Sequence, residues 1–390
     1  MGRGFTIGID ASRATREQRT GTEGYSLHLL RALLSLDTSN RYVLYFNTPP
    51  RPGLLPDQAH VQQRVIPFPR LWTHLRLSWE MLRHPPDVLF VPAHVLPLIH
   101  PRRSVVTIHD LGYHYEPDAH PPRQRAYLEW ATRYNAQSAT HIIADSQATK
   151  RDLVGILGIP PEKISVVYLG VEERFRPVQD AAQIAAAKAA YSIPGPYILY
   201  VGTLQPRKNL ARLVEAFGRV ARALDTGYEG VTPYDAGDPQ RRLSLVLAGS
   251  KGWWYEDIFR TVQQMDLGSR VICPGYVKDD DLPALYSGAD LFVLPSLYEG
   301  FGLPALEAMA CGTPVVASNV SSLPEIVGDA GLLANPTDPA DLARAMTRVL
   351  MDPARAAQMR ERGLAQAKRF TWERCARETL EVIEGVGYGV

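Results

Sequence analysis

Three cysteines in 390 residues, Cys273, Cys311 and Cys375, are too few and too scattered for a disulfide framework or a zinc site. They read as buried thiols in a reduced, cytoplasmic setting. No stretch approaches the ~18 consecutive apolar residues of a spanning helix. No signal-type segment precedes the first strand-like run, 5–10. Lysine is scarce, 7 residues against 35 arginines, and no dense basic run interleaved with aromatics appears, which argues against nucleic acid as partner. No Asp-x-Asp pair follows a strand in metal-ligand fashion and no His/Cys cluster exists, so no metal and no cofactor are expected. The acidic run Asp279-Asp280-Asp281 lies beyond a turn and reads as a helix cap. Repeats and low-complexity tails are absent.

What is present is globular: 45% hydrophobic and 21% charged residues, with a length natural for two domains. The net charge of +1 is unevenly spread. Residues 1–110 hold 13 Arg and no Lys against 8 acids, and the remainder is net acidic. This basic first part permits an anionic acceptor or weak contact with a membrane surface.

Short apolar runs alternate with helical patterns throughout, the signature of parallel sheets flanked by helices. Strand candidates are 5–10, 42–46, 61–66, 87–91, 104–108, 141–144 and 164–168, then 197–201, 243–248, 270–272, 290–294 and 314–317. Between the two sets, 170–196 reads as a linker with an Ala-rich turn of helix. The polar stretch 225–242 reads as a surface insertion. Three helical patterns close the chain over 338–385, with Asp338 and Thr371 as caps. The expected domains are 1–175 and 195–370, with 371–390 as a last helix. In 71–82, Leu71, Trp72, Leu75, Trp79 and Leu82 recur at helical spacing with Arg70, Arg76 and Arg83 about them. That stripe is either core against a sheet or a membrane-surface helix.

The most informative stretch is 296–314. An apolar run, 290–295, leads into Glu299-Gly300-Phe301-Gly302-Leu303-Pro304. A helix is predicted over 303–311, with Pro304 in its first turn, Gly312 as its stop and Glu307 one turn in. A second apolar run follows. At the carboxyl end of a parallel strand, such a turn faces a ligand site. Gly300 and Gly302 let backbone approach a ligand, and the amides at the helix start favour a phosphate. Glu307 is near enough to accept hydrogen bonds from a sugar diol beside it. The bland alternative is a tight corner with two solvated acids.

Two acids in this setting resemble the E-x7-E motif of retaining glycosyltransferases of the GT-B fold, the family 4 group, and the chain as a whole resembles its bacterial mannosyltransferase-type members. The resemblance implies two Rossmann-like domains facing across a cleft, with a C-terminal helix crossing back to the first. It implies Glu299 against a donor sugar, Glu307 on a nucleotide ribose and the amides of Phe301 to Leu303 on the sugar and diphosphate. It further implies a GDP- or UDP-sugar donor, with GDP-mannose preferred, and a glycan or lipid-linked acceptor at the inner face of a membrane. Sugar-nucleotide epimerases of the same fold and a non-catalytic nucleotide-sugar binder are the alternatives.

Other residues take their place beside this stretch. Gly202-Thr203-Leu204-Gln205-Pro206-Arg207-Lys208 follows a strand and opens a helix, so Arg207 and Lys208 are cations suited to a diphosphate. The family carries an Arg after the glycine, where this chain has Thr203. Lys208 matches the family lysine, and Arg207 is the candidate to supply the guanidinium. Tyr276 and Val277, after another strand, match the turn that packs the nucleotide base. His109 ends a strand, and the resemblance implies that it reaches the donor sugar, with Asp110 orienting it or binding acceptor. Gly21 and Thr22 lie in a glycine turn before a helix predicted over 25–36, as an acceptor or phosphate loop. The arginine that the family has in that turn is Gly24 here.

Overall fold

In the computed structural model, residues 4–16, 21–68, 70–93, 95–116, 121–225, 234, 238 and 240–389 are described. The chain separates into two compact units. One combines Met1–His114, Pro121–Gly170 and Phe370–Val390, and the other combines Tyr115–His120 with Val171–Arg369.

The first unit is built on a seven-stranded sheet. Its strands are β1 (Thr6–Asp10), β2 (Arg41–Phe46), β3 (Val61–Val65), β4 (Val88–Val91), β5 (Ser104–Ile108), β6 (His141–Ala144) and β7 (Ile164–Val166), in the order β3-β2-β1-β4-β5-β6-β7. Every pairing is parallel. Central strands β4 and β5 are buried at every position, as strands covered on both faces must be, while the edge strand β3 is largely exposed and carries Gln62, Gln63 and Arg64. The second unit repeats the plan with β8 (Tyr197–Val201), β9 (Ser244–Ala248), β10 (Val271–Gly275), β11 (Leu291–Leu294), β12 (Val315–Ser318) and β13 (Leu332–Ala334), ordered β10-β9-β8-β11-β12-β13 and again parallel throughout. The strand order reverses between β1 and β4 in one unit and between β8 and β11 in the other. Open α/β sheets place their ligand sites beyond the carboxyl ends at such reversals. These are the two Rossmann-like α/β folds read from the sequence.

The strands fall where the apolar runs place them, with one addition. The three residues of β13, between Gly331 and Asn335, are too few to show a pattern. The span 170–196 holds a full helix, Ala181–Ala190, started by Asp180, whose side chain accepts from the Ala182 amide at 2.9 Å. The insertion 225–242 falls largely outside the described residues. The caps at Asp338 and Thr371 form as expected, accepting from the Ala340 and Arg374 amides. The cap expected at 279–281 does not. Asp281 occupies the N-cap position without bonding the helix amides, and accepts instead from the Tyr191 hydroxyl at 2.6 Å.

The stripe over 71–82 divides. A π-helical turn, Trp72–Leu77, runs into an α-helix, Ser78–Arg83. The wider turn rotates Trp72, Leu77 and Met81 into the core beneath β4 and β5, with the Trp72 indole donating to the Ile66 carbonyl at 2.8 Å. Leu71, Leu75, Trp79 and Leu82 are left exposed, Leu71 at 63%. The Arg83 guanidinium lies 4.9 Å above the Trp79 ring. The core reading thus holds for only one face of this segment. Among the described residues no helix is long and apolar enough to cross a membrane.

The last helix, Trp372–Tyr388, belongs to the first unit. Trp372 stacks on His28 with centroids 5.5 Å apart and meets Tyr25 at 6.1 Å, both on the helix Gly21–Leu36. Gly170 makes this docking possible, since a Cβ there would lie 2.3 Å from the Trp372 amide nitrogen. Gly170→Ala should therefore cost about 1–3 kcal/mol through forced backbone movement. Gly155, inside the helix Gln147–Leu157, has nothing within 4 Å of a would-be Cβ, and Gly155→Ala should gain about 0.5–1 kcal/mol. Melting curves of the two variants should shift in opposite directions.

Candidate active site

At the strand reversal of the second sheet, β11 ends and the chain turns through Pro295–Gly302 into the helix Leu303–Ala310. Gly302 takes the turn with φ of 107°, and a Cβ there would press within 2.6 Å of Leu323. Phe301 is buried and Leu303 half-buried, whereas Gly300 is buried without a left-handed φ. Ser322 holds the turn in shape, its hydroxyl lying 3.0 Å from the Glu299 carbonyl and 2.8 Å from that of Phe301. The Glu299 amide donates to Ser321 Oγ at 2.9 Å.

Glu299 is buried, and its carboxylate gathers the groups that the sequence assigns to separate roles. Lys208 Nζ lies 2.5 Å from Oε1, Ser296 Oγ donates to the same oxygen at 2.6 Å, and Arg207 Nη1 lies 3.4 Å from Oε2. Burial pushes the carboxyl upward, but Lys208 and Arg207 more than offset this and hold it below the usual range. Two cations around one ionised carboxylate leave a net positive charge at the ends of β8 and β11, the correct sign for an anion. Arg207 also donates to the Tyr298 carbonyl at 2.5 Å and accepts from the Leu297 amide at 2.9 Å, so the two loops are tied to each other. Behind them Asn209, left-handed at φ 60°, donates to the carbonyls of Pro295 and Pro336 at 3.0 and 2.7 Å. Asn tolerates that backbone region.

Gly202 and Gly249, ending β8 and β9, have φ near 150°, and a Cβ on Gly249 would fall 2.0 Å from the Gly202 carbonyl oxygen. Backbone alone therefore fills this rim. Thr203 is exposed, its carbonyl accepting from the Tyr200 hydroxyl at 3.2 Å.

Glu307 faces different company. It is half-buried, and Tyr286 donates to its Oε2 at 2.9 Å. Burial raises its carboxyl to about 7; the Tyr286 bond opposes the shift, and the neighbouring Glu172 adds to it. Arg174 bonds Glu172 at 2.8 Å and lies 3.6 Å from Asp279, which accepts from the exposed Tyr276 hydroxyl at 2.9 Å. Val277 beside it is buried. Glu307 and the Tyr276 turn thus share one electrostatic neighbourhood, linked through Glu172 and Arg174, which sequence reasoning passed over as linker.

In the first unit, His109 follows β5 and is wedged by Tyr25, whose ring meets it edge-on at 4.9 Å. Its Nδ1 lies 2.6 Å from Asp145 Oδ2 and its Nε2 lies 2.9 Å from the Pro92 carbonyl. Acceptors at both nitrogens favour the protonated ring; burial opposes that charge, and Asp145 overcomes it and raises the pKa. Asp145, not Asp110, orients the ring. Asp110 instead accepts from the Gly112 amide at 2.8 Å and shapes the turn after His109. Asp145 follows β6 as His109 follows β5, and this shared strand-end position is the signal that would have found it. Asp10, ending β1 at the strand reversal, is buried with its carboxyl raised to about 6 by burial, and among the described residues its Oδ2 has no hydrogen-bond partner. Gly21 and Thr22 are not a turn before a helix. They begin the helix Gly21–Leu36, four residues earlier than the pattern predicts, and a Cβ on Gly21 or Gly24 would meet open space. Residues 17–20, ahead of them, lie outside the described set, and Arg13 is pinned to Glu23 at 2.9 Å.

Comparison with known proteins agrees with this geometry. The signature described as Glycosyltransferase Family 4 matches residues 19–175, and that described as Glycosyl transferases group 1 matches residues 186–366. The chain is 33% identical over 319 residues to the O-antigen chain mannosyltransferase B of Escherichia coli, which takes in 82% of this chain and 80% of that protein. Sucrose-phosphate synthase from Thermosynechococcus elongatus shares the fold with a TM-score of 0.75 at 23% identity, over 99% of this chain and 100% of that one. The Anabaena protein HepE, solved with UDP and glucose, does so with a TM-score of 0.71 at 20% identity, over 97% of this chain and 99% of that one. A third of the residues identical across most of both chains, on this two-sheet fold, places the chain among the GT-B glycosyltransferases, with a family 4 domain followed by a group 1 domain.

Proposed function

We propose that this enzyme transfers mannose from GDP-mannose to a hydroxyl of a glycan or lipid-linked acceptor, with retention at the anomeric carbon and without a metal. The observation that carries the reading is the Glu299–Lys208–Arg207 cluster at the strand reversal of the second sheet. Mannose and a polysaccharide product are supported by the name of the Escherichia coli relative.

In this reading the nucleoside diphosphate lies over the ends of β8 and β11, its charge met by Lys208, Arg207 and the amides of Phe301 to Leu303. Arg207 supplies the guanidinium that Thr203 lacks. The acceptor oxygen forms its bond to the anomeric carbon on the face from which the diphosphate departs. The bond to the diphosphate oxygen breaks heterolytically, and that oxygen takes the acceptor proton. Glu299 orients the sugar while keeping Lys208 in place. His109, as an imidazolium held by Asp145 and Pro92, offers fixed positive charge to sugar hydroxyls, and Asp110 shapes its turn. Glu307 accepts from the ribose, and Tyr276 and Val277 flank the base. Gly21 and Thr22, in an uncluttered first helical turn, leave room for the acceptor or the diphosphate.

Thermal-shift titration with GDP-, UDP-, ADP- and dTDP-sugars checks the donor. GDP-mannose should give the largest shift; a larger one from a UDP-sugar would reassign the donor, and none beyond that of phosphate would sink the transferase reading. Lys208→Ala should lower kcat by roughly 10²–10³, the usual loss of one electrostatic stabiliser, in protein shown to be folded by its melting curve.

Glu307 generates a pH prediction. Its folded value of about 7 exceeds the ordinary 4.5, so the folded state holds the proton more tightly. Its contribution to stability is full below about 4.5 and is lost as pH rises to about 7. Ribose hydroxyls donate best to the ionised carboxylate. GDP-mannose, whose diphosphate does not titrate here, should therefore bind roughly five- to tenfold more tightly at pH 8 than at pH 6. Glu307→Gln should flatten both profiles; a variant with wild-type affinity and slope refutes the ribose role.

For a lipid-linked acceptor, the exposed Leu71, Leu75, Trp79 and Leu82, with Arg76 and Arg83 beside them, supply a surface for an anionic bilayer. Sedimentation with phosphatidylglycerol vesicles should retain the wild type, and Leu75→Glu with Trp79→Glu should release it.

A further inference from the structure

Trp253 and Trp254 stand side by side on the loop between β9 and the helix Glu256–Gln264, exposed at 53% and 49%. Among the described residues neither indole has a ring contact or a hydrogen bond. Trp254 is also left-handed, with φ of 50°, an outlying backbone state for a bulky residue. Such strain persists only where the surroundings impose it, and exposed aromatic surface of this size marks a binding face.

The surroundings here are firm. The Leu204 amide donates to the Ser250 carbonyl and the Gly252 amide to the Leu204 carbonyl, both at 2.9 Å, and Leu204 and Lys251 form a parallel bridge. A Cβ on Gly252 would fall 2.8 Å from Thr203 Cγ2. The tryptophan loop is thereby laced to the segment that carries Arg207 and Lys208. Lys251 and Tyr255, which flank the two tryptophans in sequence, line a hollow of about 380 Å³ with Glu256, Phe259, Arg260 and Gln263. Lys251 Nζ lies 4.8 and 5.2 Å above the Tyr255 and Phe259 rings.

We propose that Trp253, Trp254 and this hollow form a glycan platform on the donor-binding unit, which holds sugar residues of the acceptor chain away from the one that reacts. The chemistry selects the occupant. A pyranose offers an apolar C–H face that covers an indole and a rim of hydroxyls that bonds to charged and amide side chains, and both kinds of group are present here. A bilayer fits poorly, because Lys251 and Arg260 are balanced by Glu256 and Asp257, and a neutral patch does not attract anionic lipid. The proposal rests on the glycosyltransferase assignment and on a polymeric acceptor, but not on the identity of the donor.

The test uses the full-length enzyme and a panel of manno-, gluco- and galacto-oligosaccharides of one to five units, read by calorimetry without donor. Affinity should rise with chain length for one series. The double variant Trp253→Ala with Trp254→Ala should lose at least tenfold on the longest member while its GDP-sugar affinity stays within twofold. Trp253→Phe with Trp254→Phe, which keeps aromatic faces, should recover most of that loss, which a merely structural role would not predict. Oligosaccharide binding that is absent in the wild type, or undiminished in the alanine variant, overturns the platform. So does loss of vesicle binding in that variant, which would assign the loop to a lipid surface. Failure to bind any nucleotide sugar, with oligosaccharide binding intact, would strike the proposed donor and leave the platform standing.

Discussion

A carboxylate cannot stay ionised out of water without partners, and Glu299 is both buried and ionised. That requirement organises the end of the second sheet. Lys208 and Arg207 must reach Glu299, so their loop must cross the end of β8 at a fixed height. Asn209 fixes it by bonding two carbonyls from elsewhere in the unit. Ser296, Ser321 and Ser322 complete the shell with small hydroxyls that leave space in front of the turn. Removing Glu299 from this set would leave two largely buried cations uncompensated, at roughly 3–5 kcal/mol, whereas removing Lys208 leaves Glu299 paired with Arg207. In the proposed reading, the same arrangement keeps two cations in place with no side-chain reorganisation when a diphosphate arrives. Preorganisation of this kind is how electrostatic stabilisation favours a leaving group.

The first unit uses a related device at its own strand ends. Asp10, His109 and Asp145 follow β1, β5 and β6, all buried or nearly so, with the Pro92 carbonyl after β4 taking part. There His109 stands against Asp145, and Asp10 is a further buried carboxyl. Both units thus keep ionisable groups at the rim of a parallel sheet.

The architecture was legible because fully covered parallel strands must be apolar at nearly every position, as Leu291–Leu294 and Ser244–Ala248 are. The turn at 299–307 was legible because Gly302, Pro304 and the two acids each have a specific backbone or chemical reason, which Gly300 lacks. What escaped has physical causes too. β13 is too short to carry a period. The π turn at Trp72–Leu77 changes the number of residues per turn, so a pattern read at 3.6 put Leu75 and Trp79 on one stripe with Trp72, which the structure separates from them. The first turn of the helix Gly21–Leu36 was missed because two glycines oppose it locally, and packing against the last helix overrides them. Asp145 and Tyr286 were invisible because their partners, His109 and Glu307, are distant in sequence, and pairing across a sheet leaves no local trace.

The return of the final helix to the first unit has a consequence for biogenesis. The first unit is assembled from three separated segments, the last of them Phe370–Val390, while the main segment of the second unit, Val171–Arg369, is made before that one. During synthesis the second unit is free to fold on its own, and the first must wait with the groove beside Tyr25 and His28 uncovered until Trp372 emerges. Chains released early would carry that open apolar surface and a finished second unit, a species prone to association. The docking of Trp372 against the backbone of Gly170 is therefore a late event: the first unit closes its core only after the segment 370–389 has been made.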